Sequence, residues 1–317
     1  CWQQGCRLQW YPASEQGTNG LVLYNQAVGA RCGCVIQDVA TKKIVARWPR
    51  PLYAVSPDGR YGLSLDFARL HRLRPGYGYS NFPDATAGQA APDASGIWRI
   101  DLQTGAEELL FSVARMVALA PLAGMAGAAH YFNHILVNPD GSRFLFFHAW
   151  TRGDKRGTRL ITCDPDGRNP YPLINEGHVS HYNWTSATEL IAYATHARTG
   201  MRYHLYRDRT EDRSVLAEGV LTEDGHPSFS DDGSLLLTDT YPDHYRDRHL
   251  LLYDIRSGAL TRLGSFFSPF GYRREARCDL HPRSSPSGRH ICLDSAHEGL
   301  RRICLLDTST LTFPRAL

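Results

Sequence analysis

Long apolar runs are missing from this 317-residue sequence. None approaches the roughly 20 residues that a membrane-spanning helix needs, so no membrane partner is expected. Net charge is scarce as well. Thirty-five Lys and Arg against 32 Asp and Glu leave +3, and no long basic run offers a footprint for nucleic acid. Helical periodicity is almost absent, and only 112–127 predicts a short helix. An initiating Met is also lacking, which leads us to expect an upstream segment in the full protein, a secretion signal or a further repeat among the possibilities.

Cysteine is present but not as a framework. Cys1, Cys6, Cys32, Cys34, Cys163, Cys278, Cys292 and Cys304 lie mostly in apolar runs, where a thiol behaves as a small hydrophobe. A chain of this length buries enough surface without disulfides. The expectation is therefore a reducing, cytoplasmic setting, with a periplasmic or secreted one as the alternative if a signal precedes residue 1. Cys292 and Cys304 fall on neighbouring predicted strands, close enough in sequence to pair.

What the chain does contain is a repeat. Short β-rich runs flank a turn signal in YAVSPDGRYGLSLD from Tyr53, HILVNPDGSRFLFFH from His134, HPSFSDDGSLLLTD from His226 and HPRSSPSGRHICLD from His281. Degenerate copies start at His181 and Cys6. Each hairpin is followed by a strand ending near Asp (IWRIDLQTG, RLITCDPDG, LLLYDIRSG, RICLLDTST) and often by a fourth short strand. Four strands per unit of roughly 45 residues predict the blades of an all-β propeller. Six blades are recognisable, beginning near Cys6, Leu52, His134, His181, His226 and His281, and a missing N-terminal blade would make seven. The whole of 1–317 reads as a single propeller domain. It carries one long insertion at 69–95 that opens with Arg69, His71, Arg72, Arg74, Tyr77 and Tyr79; loops of that length are commonly functional.

Aligning the blades on the residue before the turn places Leu52, His134, His181, His226 and His281 at one register. The first strand of a propeller blade lies nearest the axis, so these histidines are expected to point at a shared mouth. The polar ends of the next strands join them there, including Asp66, His148, Asp239 and Asp294 and the loops with His196, Arg198 and Tyr241. The competing explanation is a structural histidine copied with each blade. Neutral imidazoles on consecutive blades suit a divalent metal. His181, His226 and His281 are the expected ligands, with Asp279 as a carboxylate partner. Cys278 would point to zinc if its thiolate took part.

These segments resemble the oligogalacturonate lyase family and, more loosely, the ulvan lyases, over most of 130–310. The family's Thr-His-x-x-Trp segment is similar to Ser180-His181-Tyr182-Asn183-Trp184. Its later His-Pro-containing ligand segment is similar to Asp279-Leu280-His281-Pro282, with Asp279 where the family has a second ligand histidine and no counterpart of the family's glutamine. The resemblance implies manganese as the cofactor and a uronate-containing, acidic oligosaccharide as the substrate, cleaved by β-elimination. The ulvan lyase pattern of a histidine pair, a tyrosine and an arginine resembles His134, His148, Tyr182 and Arg198, which become the expected catalytic group. Arg69, Arg72, Tyr77, Tyr79 and Tyr241 are the expected sugar contacts. The segment Gly225–Gly233 is shared with TolB-type propellers generally, so a non-catalytic propeller binding a protein or glycan is the alternative. A serine peptidase is set aside, because the chain has no Gly-x-Ser-x-Gly elbow.

Overall fold

The computed structural model describes residues 3–12, 20–29 and 31–309, and there each repeat forms one antiparallel sheet. The sheets span 9–48, 54–112, 129–174, 179–215, 228–267 and 283–307, with strands paired in sequence order. Five have four strands; the last has three among the described residues. The chain is an all-β propeller of six blades. It divides into two compact units, 1–175 and 176–317, of three blades each.

The turn chemistry explains why the repeat is so regular. Ser56 Oγ donates to Asp58 Oδ1 at 2.6 Å and accepts from the Tyr61 amide, while the Arg60 amide donates to the same Asp58 carboxylate. Gly59 then closes the turn at φ +69°, a conformation that a side chain would strain. The same device returns at Ser230–Gly233, where Ser230 and Ser234 hydroxyls donate to Asp232. Side chains alternate from face to face along each strand, so the apolar positions build a core in each unit. Phe111, Phe144 and Phe146 stack in the first unit, with Phe132 edge-on to Phe111 and Phe146. Leu237, Leu250, Leu280 and Leu293 cluster in the second.

The insertion is more ordered than its composition suggests. It is entered by a helix, α1 (Phe67–Leu73), whose N-cap Asp66 accepts from the Arg69 amide. The helix expected within 112–127 forms as α2 (Val113–Ala118), capped by Ser112. The possible disulfide does not form. Register pairs Cys292 with Leu305 and Leu293 with Cys304, and both thiols are free.

Candidate metal centre

Three histidines converge in the second unit. The rings of His181 and His226 lie 4.1 Å apart between centroids, as do those of His226 and His281. Each stands in or just before the first strand of its blade, and the backbone aims it. A β-bulge between Val179 and Tyr182 redirects the strand at His181. His281 adopts φ +42°, a left-handed conformation that a non-glycine residue holds only when its surroundings impose it.

Each ring turns its Nδ1 towards a carboxylate. His181 Nδ1 is 3.0 Å from Asp224, whose other oxygen accepts from Ser180 Oγ at 2.6 Å. His226 Nδ1 is 2.8 Å from Asp239 Oδ1, which also accepts from the His226 backbone amide. His281 Nδ1 lies 3.8 Å from Asp294, and the His281 amide donates to Asp239 Oδ2. A carboxylate that holds one ring nitrogen leaves the other to present its lone pair, which is how metal-ligating histidines are oriented. Gly225 makes the arrangement possible, because a Cβ there would fall 1.8 Å from the Asp239 carbonyl oxygen.

Burial tunes these groups. Desolvation, reinforced by the neighbouring His181 and His281, holds His226 well below the usual imidazole range, so it is neutral near pH 7. Desolvation likewise raises the pKa of the fully buried Asp239. Asp279 behaves differently: burial opposes its charge, but Arg277, His226, Arg248 and His281 together outweigh burial and lower its pKa. Arg277 Nε is 2.6 Å from Asp279 Oδ2. Arg248 Nη1 approaches Asp279 Oδ1 to 2.7 Å, yet off the hydrogen-bonding direction, so that buried oxygen has no hydrogen bond.

These residues fit a divalent cation. One ligand atom from each of His226, Asp279 and His281 lies within 4.8 Å of the others. Ligands at about 2.0–2.2 Å from one ion stand roughly 3–4.4 Å apart, so a small side-chain adjustment closes the site. The orphaned Asp279 oxygen is the remaining acceptor. His181 stands outside this trio, against His226. Tyr241 flanks both, 6.1 Å from the His181 ring and 6.2 Å from that of His226, with the Arg277 guanidinium 5.2 Å from its centre.

Several expected site residues are placed elsewhere. Cys278 is 3% exposed, burial pushes its thiol up to about 11, and it does not join the trio. The imidazole and carboxylate trio thus stands without the thiol, and Cys278→Ser should leave the metal content of the purified protein unchanged. His148 is fully buried in the first unit. Its Nε2 meets His130 Nδ1 at 3.0 Å and its Nδ1 accepts from Arg159 Nε at 3.1 Å, so neither nitrogen is available as a base. Arg69 is 1% exposed and donates to the carbonyls of Thr86, Gln89, Ala90 and His130, which makes it a brace for the insertion and not a sugar contact. Tyr79 is a core residue stacked on Phe67, its hydroxyl accepting from Asn25. Arg72 is bound to Asp84.

The others remain partly accessible. His134 is half-buried at φ +52°, its ring tilted against Tyr77 and Phe147. Tyr182 is half-buried opposite Ala192. Arg198 is exposed in the turn after Glu189–His196 and forms no ion pair among the described residues. Asp224, Arg248 and Arg277 are the site residues that the repeat did not reveal, since they occupy no repeated register. The pairing of His226 with Asp239 was open to view, because the ends of a tight hairpin must meet.

The chain matches no known family profile and no curated protein. Solved structures do match. An oligogalacturonate lyase from Vibrio parahaemolyticus is 14% identical, with a TM-score of 0.64 over 92% of this chain and 75% of that one. The fold is that of the oligogalacturonate lyases. A second, solved in complex with manganese, is 17% identical with the same TM-score over 91% of this chain and 74% of that one. TolB from Acinetobacter baumannii aligns at 16% identity and a TM-score of 0.51, over 91% of this chain and 60% of its own. The lyase-like propeller is thus shared with proteins of other functions, and the residues of the site must carry any functional reading.

Proposed function

We propose that this chain is a divalent-metal-assisted lyase that cleaves uronate-containing oligosaccharides by β-elimination. One observation carries the reading: three imidazoles from consecutive blades, each with Nδ1 turned to a carboxylate. His226, His281 and Asp279 would hold the ion, with His181 at its margin. A donor set of imidazole and carboxylate without thiolate suits manganese. The bound ion supplies positive charge against the uronate carboxylate, which makes the adjacent C5 proton removable.

The remaining chemistry belongs to the side chains. Arg277, 27% exposed, offers a second cation to the substrate carboxylate. Tyr241 sets a phenol beside His181 and His226, in the place expected of a group that takes or returns a proton, and assumes the role that sequence reasoning gave to His148. The carboxylates behind the rings keep the imidazoles fixed while charge develops.

Elemental analysis of the purified protein, followed by an absorbance assay for the unsaturated product with oligogalacturonate and ulvan fragments, tests this reading. Stoichiometric divalent metal and product formation that EDTA abolishes are expected. Protein without metal affinity, or product formation indifferent to EDTA, would overturn it and leave the binding-propeller alternative.

A further inference from the structure

Between the fifth and sixth sheets runs a loop, 268–277, with the sequence SPFGYRREAR. Three arginines and one glutamate make it basic in an otherwise balanced chain. Phe270 is 70% exposed, and the Arg246 guanidinium sits 4.7 Å from its ring centre. Arg246 also donates to the Ser268 and Pro269 carbonyls, at 2.8 and 3.4 Å, which fixes the loop beneath the exposed ring. Arg273 and Arg274 are exposed, and neither side chain has a hydrogen bond or ion pair among the described residues. Arg274 holds φ +54°, a conformation that costs free energy in a residue other than glycine. The loop ends on Arg277, which touches Asp279 and lies over Tyr241. A basic, aromatic-bearing loop therefore joins the metal centre at Arg277.

A uronate unit presents two features at once, an apolar C–H face and a carboxylate. An exposed aromatic ring and two exposed guanidiniums without ion pairs on one short loop match both. We infer that this loop is a binding subsite for uronate units flanking the one at the metal centre, so that it sets a preference for longer, charged chains. The identity of the ligand rests on the lyase reading; the binding chemistry of the loop does not.

Calorimetric titration of the whole chain, with manganese and with EDTA, separates the two claims. The probes are a trigalacturonate, a hexagalacturonate and the fully methyl-esterified hexamer. Combined Arg273→Gln and Arg274→Gln should weaken hexagalacturonate binding roughly ten-fold, with less than a two-fold change for the trimer and for the esterified hexamer. Phe270→Ala should weaken both hexamers, because stacking needs no charge. Equal losses for trimer and hexamer, or none, would overturn the subsite. So would a loss that esterification does not remove in the arginine variant. If the hexamer binds through the loop but no unsaturated product forms, the subsite stands and the lyase reading falls; product formation without dependence on the loop gives the converse.

Discussion

His226→Ala should abolish stoichiometric metal binding, and Asp239→Asn should weaken manganese affinity by about 10- to 100-fold, although Asp239 would touch no metal. His226 is the middle ring of the three and a member of the trio with Asp279 and His281. Its removal leaves two ligands. The asparagine acts indirectly. Asp239 receives His226 Nδ1 at 2.8 Å and the amides of His226 and His281 at 2.7 and 3.3 Å. An amide group in its place can accept with one atom only, so either His226 changes tautomer and withdraws its lone pair, or a backbone amide is left unpaired. Calorimetric titration with Mn²⁺ measures the loss, and Ser180→Ala, which removes a hydroxyl that touches Asp224 and His181 but no member of the trio, supplies a mild reference. Wild-type affinity in Asp239→Asn would show that the carboxylate does not position the ring. Unchanged metal content in His226→Ala would remove the centre altogether.

The histidine register was legible because a propeller repeats its geometry with its sequence. His181, His226 and His281 stand at one position of successive blades, so one alignment finds all three. The Asp-Gly turns were legible for a similar reason, since φ > 0 and an Asx acceptor leave a mark in four residues. His148 shows the limit. It ends its strand in the same pattern, yet its environment is set by Arg159 and His130, far from it in sequence or placed on another strand, and burial of a ring is decided by such partners. The Arg69–Tyr79 segment misled differently. Arginines and tyrosines in a Gly- and Pro-rich stretch suggest an exposed binding loop, but α1 turns Arg69 inward to donate to three carbonyls of the connection, those of Thr86, Gln89 and Ala90, and to that of His130 on the next blade. Arg277 and Arg248 had no periodic signal at all, and only the folded chain brings them to Asp279.

Arg159→Ala should destabilise the protein by about 3–5 kcal/mol, whereas Arg302→Ala, in an exposed pair with Glu298, should cost under about 1 kcal/mol. Arg159 is fully buried. It donates to the Met116 and Ala120 carbonyls, to Asn175 Oδ1 and to His148 Nδ1, and truncation removes a buried donor from all four, leaving the Met116 carbonyl with the Leu119 amide alone. The same chain fixes the protons. Because Arg159 donates to His148 Nδ1, His148 must donate from Nε2 to His130 Nδ1, and His130 from Nε2 to the Met125 carbonyl at 3.2 Å. Neither ring can accept another proton without breaking a bond. Desolvation first, then the Arg159 cation, accordingly depress the pKa of His148 well below the imidazole range, and desolvation likewise lowers that of His130. The sign of the pH dependence follows. Below about pH 6.5 the unfolded chain binds protons that the native rings refuse, so stability is complete above that value and is lost as pH falls below it, by up to about 1.4 kcal/mol per pH unit for each histidine. Arg69, whose guanidinium donates to the His130 carbonyl and lies 3.8 Å from Asp84, adds to the positive field around the pair. Urea midpoints measured from pH 8 to pH 5 should therefore fall most steeply below 6.5. Midpoints that stay level across that range would show that the two rings accept protons without disturbing the native state.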